Sequence, residues 1–368
     1  MLDVVIRGGS IVDGSGGPPT TGDVGVRDGR IVAVGEVDEP ARRTIDADGA
    51  LVTPGWVDVH THYDGQVTWD DALEPSASNG VTTVVTGNCG VGFAPVRAAD
   101  VDALIDLMEG VEDIPGTALH AGMPWGSWET YGEYLDLIDQ RSFALDVGTQ
   151  LAHGALRFYV MGERGAANED ATADDLAEMS RLVEEAMRAG ALGVSTSRTI
   201  GHRSRSGEPV PGTFAASDEL LALGDGLRRA GHGVFEAILA GTIGALPGLG
   251  GEAATPVEEL PLLAEVSRRS GRPSTFTVAQ LFEDPDHWRL VLDAAAEANA
   301  AGARLHPQII PRSVTIMTNL DTYHLFRGRP SYEAVAHLPL AERVAVLRRP
   351  EVREAILAER PAEVGSPD

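Results

Sequence analysis

The chain has 368 residues, 43% hydrophobic and 23% charged, and 29 Lys+Arg against 55 Asp+Glu give it a formal charge of −26. That hydrophobic share supports an ordinary packed core, and the length exceeds what one core usually organises unless the fold is a (β/α) barrel with an appendage. So acidic a surface argues against nucleic-acid partners, whose binding rests on cationic neutralisation, and against anionic membranes.

Cys89 is the single cysteine, so no internal disulfide can form, which fits a reducing cytoplasm. The start, Met1-Leu2-Asp3-Val4-Val5-Ile6-Arg7-Gly8, lacks a basic segment followed by a long apolar one, and no apolar run approaches the roughly 18 residues of a span. Neither a secretory leader nor a membrane span is expected.

Residues 1 to about 50 read as short strands punctuated by glycine: Val4-Val5-Ile6, Ser10-Ile11-Val12, Asp23–Val26 and Arg30–Val34, with Asp28-Gly29 as a hairpin turn. This predicts a small β-meander or half of a β-sandwich over residues 1–54. From Leu51 the rhythm becomes strand, loop, helix. Strands are predicted at about 56–62, 81–87, 145–152, 191–196, 233–239, 273–279 and 303–310. Helices are predicted at about 100–112, 131–141, 172–189, 217–230, 256–270 and 286–300, the one near 172 opened by Thr172 with Asp174 and Asp175 in its first turn. Such alternation argues for a parallel sheet, and seven strands in succession for an α/β TIM-like barrel over 55–348, without an eighth strand. A helix near Leu340–Leu347 and a polar tail over 349–368 close the chain.

Chemistry gathers at predicted strand ends, where barrel sites lie. In Gly55-Trp56-Val57-Asp58-Val59-His60-Thr61-His62 the two imidazoles sit two residues apart. On a strand they share a face, a spacing that suits a divalent metal, with Asp58 one step back as an orienting carboxylate. An isolated His-x-His is otherwise a pair on a half-exposed face. Cys89, in Thr86-Gly87-Asn88-Cys89-Gly90 after the second strand, is either a third ligand or an inert buried thiol. His153 ends the third strand as a site residue or a satisfied structural histidine. After the fourth strand Arg198, His202, Arg203 and Arg205 form a basic loop, which reads as an anion or carboxylate subsite or as a solvated loop.

Taken together, Val5-Ile6-Arg7-Gly8-Gly9, Arg27-Asp28-Gly29-Arg30-Ile31, Pro54-Gly55-Trp56-Val57-Asp58 and His60-Thr61-His62 resemble the amidohydrolase superfamily. Gly87-Asn88-Cys89-Gly90, His153-Gly154-Ala155-Leu156-Arg157 and Gly190–Thr196 are similar to N-acyl-D-amino-acid deacylases, the likeness spanning about 1–310. The resemblance implies a metal-dependent barrel, a β-sandwich built from both chain ends, and His60, His62 and Cys89 as metal ligands. It implies a divalent ion, zinc being expected, that lowers the pKa of water and polarises a scissile carbonyl. This sequence also departs from the pattern. Where the family has histidines at the fifth and sixth strand ends it reads Val234-Phe235-Glu236-Ala237 and Thr275–Gln280. Glu236 is then either a substitute oxygen ligand or a buried carboxylate. The family's aspartate base on the eighth strand has no counterpart, neither Asp321 nor Asp368 having suitable surroundings, so the sequence reads as a member that stops early.

The expected function is hydrolysis of a linear amide, an N-acyl amino acid of D configuration or otherwise, with Arg198, His153 and His202 on the substrate side. The alternative is an incomplete paralogue that folds and binds small molecules without turnover. A cyclic-amide hydrolase of the hydantoinase kind fits less well, because such relatives bridge two metals with a carboxylated lysine and this chain has no lysine. Self-association into a homo-oligomer stays open.

Overall fold

The computed structural model describes residues 1–112, 114–204, 207–244, 252, 254–281, 284–310, 320, 324 and 326–359. Arg205, Asp321 and Asp368 lie outside the described residues. The chain divides into two compact units, Met1–Asp58 with Glu74–Thr83, and Val59–Leu73 with Val84–Asp368.

The first unit contains β1 (Leu2–Ile11), β2 (Thr20–Arg27), β3 (Arg30–Gly35), β4 (Ala41–Asp46), β5 (Leu51–Val52) and β6 (Trp56–Asp58). Arg27 pairs with Arg30 across the turn, and Asp28 and Gly29 both take positive φ (50° and 70°), as a two-residue hairpin matched to strand twist requires. The first strand is one element where the sequence suggested two. Its register shifts between Ile6 and Gly9, with Gly8 at φ 65°, so the glycine pair makes a bulge inside β1. Because β4 and β5 both pair with β1 in parallel, the sheet is mixed and not a meander. Its small core is Leu2, Val5 and Val37, with Ala33 and Ala41 packed against it.

In chain order β7 (Val81–Thr86) is followed by α1 (Val101–Glu112), α2 (Gly116–Gly122), α3 (Tyr131–Asp139), β8 (Asp146–Thr149) and β9 (Leu151–Ala152). Then come α4 (His153–Met161), α5 (Glu163–Ala166), α6 (Ala173–Ala189), β10 (Gly193–Ser197), α7 (Ser217–Ala230), β11 (Val234–Ile238), α8 (Pro256–Ser270), β12 (Ser274–Val278), α9 (His287–Ala300) and β13 (Leu305–Ile309). Strands β9 to β13 form a sheet in sequence order, and every pair in it is parallel. Its middle strands are largely buried, with Val194, Phe235 and Phe276 fully enclosed beside buried polar residues such as Ser195, Thr196 and Glu236. Thr172 starts α6 with a capping box to Asp175, the signal visible in the sequence.

The chain closes with α10 (Pro330–Ala336), α11 (Leu340–Leu347) and α12 (Pro350–Ala358). Residues 350–358, expected as polar tail, are therefore helical, Pro350 supplying the fixed φ of a first helical residue. No helix among the described residues is long and apolar enough to cross a membrane.

Candidate metal centre

The sequence placed His60 and His62 on a strand, but β6 ends at Asp58, His60 lies on the bend beyond it and His62 in the irregular stretch that follows. Their spacing survives because Thr61 between them is pinned, its N–H and Oγ1 both donating to the Val85 carbonyl (3.0 and 2.7 Å). The two ring centroids stand 5.3 Å apart with planes at 62°. Cys89 is brought to them by the turn after β7: His60 Nε2 lies 3.0 Å and His62 Nε2 3.5 Å from its Sγ. One donor atom from each of the three residues falls within 4.8 Å of the others, and no further such group occurs among the described residues.

The partner of His60 Nδ1 is Gln308 on β13, at 2.9 Å. An amide oxygen can only accept, so Nδ1 carries the proton and the Nε2 lone pair is directed at the cluster. Nothing in the sequence singled out Gln308, although it lies one strand alternation from His306.

The Cys89 turn is shaped by close approach. Gly87 has φ 74°, and a Cβ there would come within 1.9 Å of the Gln150 carbonyl oxygen. Asn88 is fully buried and holds the turn to its surroundings, donating to the carbonyls of Thr61 (3.1 Å) and Val85 (2.8 Å) and accepting from Gln150 Nε2 (2.8 Å). Cys89 itself has φ 58° and is buried.

Two carboxyl groups back the cluster. Asp64 accepts from the Gly87 N–H (2.6 Å), and Glu236, fully buried on β11, accepts from the Cys89 N–H (3.0 Å) through Oε2. Asp64 Oδ2 and Glu236 Oε1 are buried with no hydrogen-bond partner among the described residues. Burial raises Asp64 to about 7 and Glu236 to about 8, against the opposing pull of those N–H groups. Burial also drives His62 well below its ordinary value, helped by His60 and His202, and lowers His202 to about 4, helped by His60. Neutral imidazoles are the form in which histidine ligates. The Glu236 Oε1 atom is 3.9 Å from His60 Nδ1, and Glu236 does not join the group of mutually close donors.

The substrate-side expectations fare differently. His153 is fully buried, with Nδ1 2.8 Å from Thr196 Oγ1 and Nε2 2.8 Å from Glu219 Oε1, so both ring nitrogens are engaged within the protein. Arg198 is anchored by donating through Nε to Glu259 (2.6 Å) and through Nη1 to the Ala215 carbonyl (2.8 Å). His202 is anchored through Nδ1 to Ser197 Oγ at the end of β10 (2.8 Å), close enough to His60 and His62 to interact electrostatically with both. Arg203 lies across an isolated bridge from Pro209 and donates to the Gly207 carbonyl.

The sequence profile of the amidohydrolase family matches residues 43–366, which takes in the histidine pair, the cysteine turn and every strand of the parallel sheet. The chain belongs to the amidohydrolase family. Within these amidohydrolases the resemblance to D-aminoacylases read from the motifs is borne out. An N-acyl-D-aspartate deacylase of Alcaligenes xylosoxydans xylosoxydans is 36% identical over 233 residues, covering 63% of this chain and 42% of that protein. A D-aminoacylase crystal structure superimposes with a TM-score of 0.65 at 27% identity, over 85% of this chain and 59% of the other. The N-acyl-D-glutamate deacylase of Bordetella bronchiseptica, complexed with zinc and a phosphonate mimic of the tetrahedral intermediate, gives a TM-score of 0.61 at 29% identity, over 84% of this chain and 59% of the other. This amidohydrolase chain spans about two fifths of the length of the curated relatives it matches.

Proposed function

We propose that the chain is a metal-dependent hydrolase that cleaves a linear amide, an N-acyl amino acid, and that His60, His62 and Cys89 hold a divalent ion, zinc by preference. The observation that carries this reading is the convergence of two imidazole nitrogens and one thiol within 4.8 Å. Zinc bonds of about 2.0–2.1 Å to nitrogen and about 2.3 Å to sulfur, set at a tetrahedral angle, put such donors roughly 3.5 Å apart. The 3.0 and 3.5 Å separations here fit that set, and a thiolate with two imidazoles favours zinc over harder ions. A bound ion of this kind supplies Lewis-acid polarisation of a carbonyl and lowers the pKa of water.

The chain's own residues have definite tasks in this reading. Gln308 fixes the His60 tautomer, and Asn88 locks the cysteine turn to the carbonyl between the two histidines. Neutral His202, held by Ser197, and Arg198, anchored by Glu259, stand on the substrate side, where His202 can orient an acyl carbonyl and Arg198 a carboxylate. The strand–helix alternation and the D-aminoacylase neighbours favour a (β/α) barrel over 55–348, with 1–54 as a small β domain.

The test is metal analysis after dialysis, joined to hydrolysis of a panel of N-acetyl-D- and L-amino acids. About one ion per chain and amide cleavage that a chelator abolishes are expected. A stoichiometry near zero that added zinc does not raise overturns the reading. A metal-loaded chain inactive on the whole panel would shift the assignment to a binding protein without turnover.

A further inference from the structure

The Gly87-Asn88-Cys89-Gly90 turn is held by side chains that reach it from distant parts of the chain. Its N–H groups at Gly87, Cys89 and Gly90 donate to Asp64 Oδ1, Glu236 Oε2 and Ser195 Oγ at 2.6, 3.0 and 2.9 Å. Gly87, Cys89 and Gly90 all have positive φ (74°, 58° and 68°), which glycine accepts readily and cysteine rarely. Cys89 therefore needs an outside hold on its backbone. Backbone N–H groups gathered in this way make a concavity that attracts anions, and here protein oxygens fill it.

Glu236 is the group that reaches the ligand residue itself. It is fully buried, it comes from β11, and its Oε2 takes the Cys89 N–H. Its other oxygen is 3.9 Å from His60 Nδ1, beyond hydrogen-bond reach and on the ring edge away from the Nε2 that meets the sulfur. It also stands outside the set of mutually close donor atoms. A ligating carboxylate would be inside that set.

We propose that Glu236 is a positioning residue of the metal centre and not one of its ligands: by accepting the Cys89 N–H it fixes the left-handed turn that presents Sγ to His60 and His62. This rests on the metal reading above. In that reading, an orienting group one bond removed from the ligands typically changes metal affinity by about 10–100-fold.

The experiment is cobalt(II) titration of the full chain as wild type, E236Q and E236A, read by the visible ligand-field bands and the near-ultraviolet thiolate-to-cobalt charge-transfer band. E236Q keeps an oxygen to accept the Cys89 N–H, so its bands are expected at wild-type positions with affinity within about tenfold. E236A loses the acceptor, so affinity is expected to fall about 10–100-fold and the charge-transfer band to weaken as Sγ leaves its place. Altered ligand-field bands in E236Q would make Glu236 a ligand and overturn the proposal. So would wild-type affinity and charge-transfer intensity in E236A. Should E236A fail to fold, E236Q decides alone. A wild type that takes up neither cobalt nor zinc overturns the metal reading itself, an outcome distinct from any difference among the variants.

Discussion

Replacing Glu219 with alanine should destabilise the larger unit severely, for a reason visible in the contacts of one carboxylate. Glu219 lies in the first turn of α7 and is buried, and its Oε1 accepts from both Arg157 Nε (2.7 Å) and His153 Nε2 (2.8 Å), themselves buried. Among the described residues Arg157 has further partners only in the carbonyls of Gly165 and Glu169, which do not offset its charge. Deleting one partner of a buried pair costs about 3–5 kcal/mol, chiefly because the other charge stays uncompensated. For a unit of roughly 300 residues, an unfolding entropy of about 2.1 cal/mol/K per residue turns this into a fall in Tm of about 5–8 °C. Burial pushes the Glu219 carboxyl up, but the hydrogen bond from His153 and the charges of His153 and Arg157 outweigh it and hold the group below its ordinary 4.5. Its stabilisation is thus present above pH 4.5 and lost as pH falls through the folded value, so wild type and E219A should converge in acid. The assay is scanning calorimetry at pH 7.5, with R157M/E219A expected to recover part of the loss by removing the stranded charge. An E219A melting point within about 2 °C of wild type would refute the reasoning.

Three further outcomes are expected. C89S should lower zinc affinity at least 100-fold, measured by chelator competition, because a hydroxyl is a poor substitute for a thiolate on zinc; unchanged affinity would remove Cys89 from the ligand set. G87A should yield little soluble protein, since its Cβ would meet the Gln150 carbonyl oxygen at 1.9 Å in a left-handed backbone; normal yield and melting behaviour would contradict the packing described. Burial and His60 lower His202 to about 4 from 6.5, so the unfolded chain binds more protons between those values and stability should drop as pH falls from 6.5 toward 4. In H202Q that slope should flatten by up to about 1.4 kcal/mol per pH unit in urea titrations, one proton's worth, and an identical slope would count against it.

What could be read from the sequence was whatever leaves a local mark. Buried strands such as Gly193–Ser197 and Val234–Ile238 lie close to glycines, and Thr172, Thr255-Pro256 and Thr130 announce helices through side chains that cap them. Helix α4 was missed because it begins directly at the end of β9 with Ala152 as its cap and no capping side chain. Pro115 likewise opens α2 without one. Pro350 did carry a start signal, masked by the polarity around it. Within the site, the His60–His62 pair and Cys89 were legible because spacing and strand order are sequence properties. The roles of Gln308, Glu236 and Glu219 were not. Each depends on a contact across 248, 147 or 66 residues respectively, and only the tertiary fold decides whether a carboxylate meets an imidazole, an amide N–H or an arginine. The same contact with Glu219 engages His153 within the protein, which neighbouring residues alone could not reveal.

Since Cys89 is the sole sulfhydryl of the chain and only 4% exposed, an alkylating reagent can reach it only when its surroundings breathe. The rate at which iodoacetamide or a maleimide labels the intact protein is therefore a built-in clock for local opening at this spot. One mass shift per molecule reports it, with no engineered probe and no second thiol to confuse the trace.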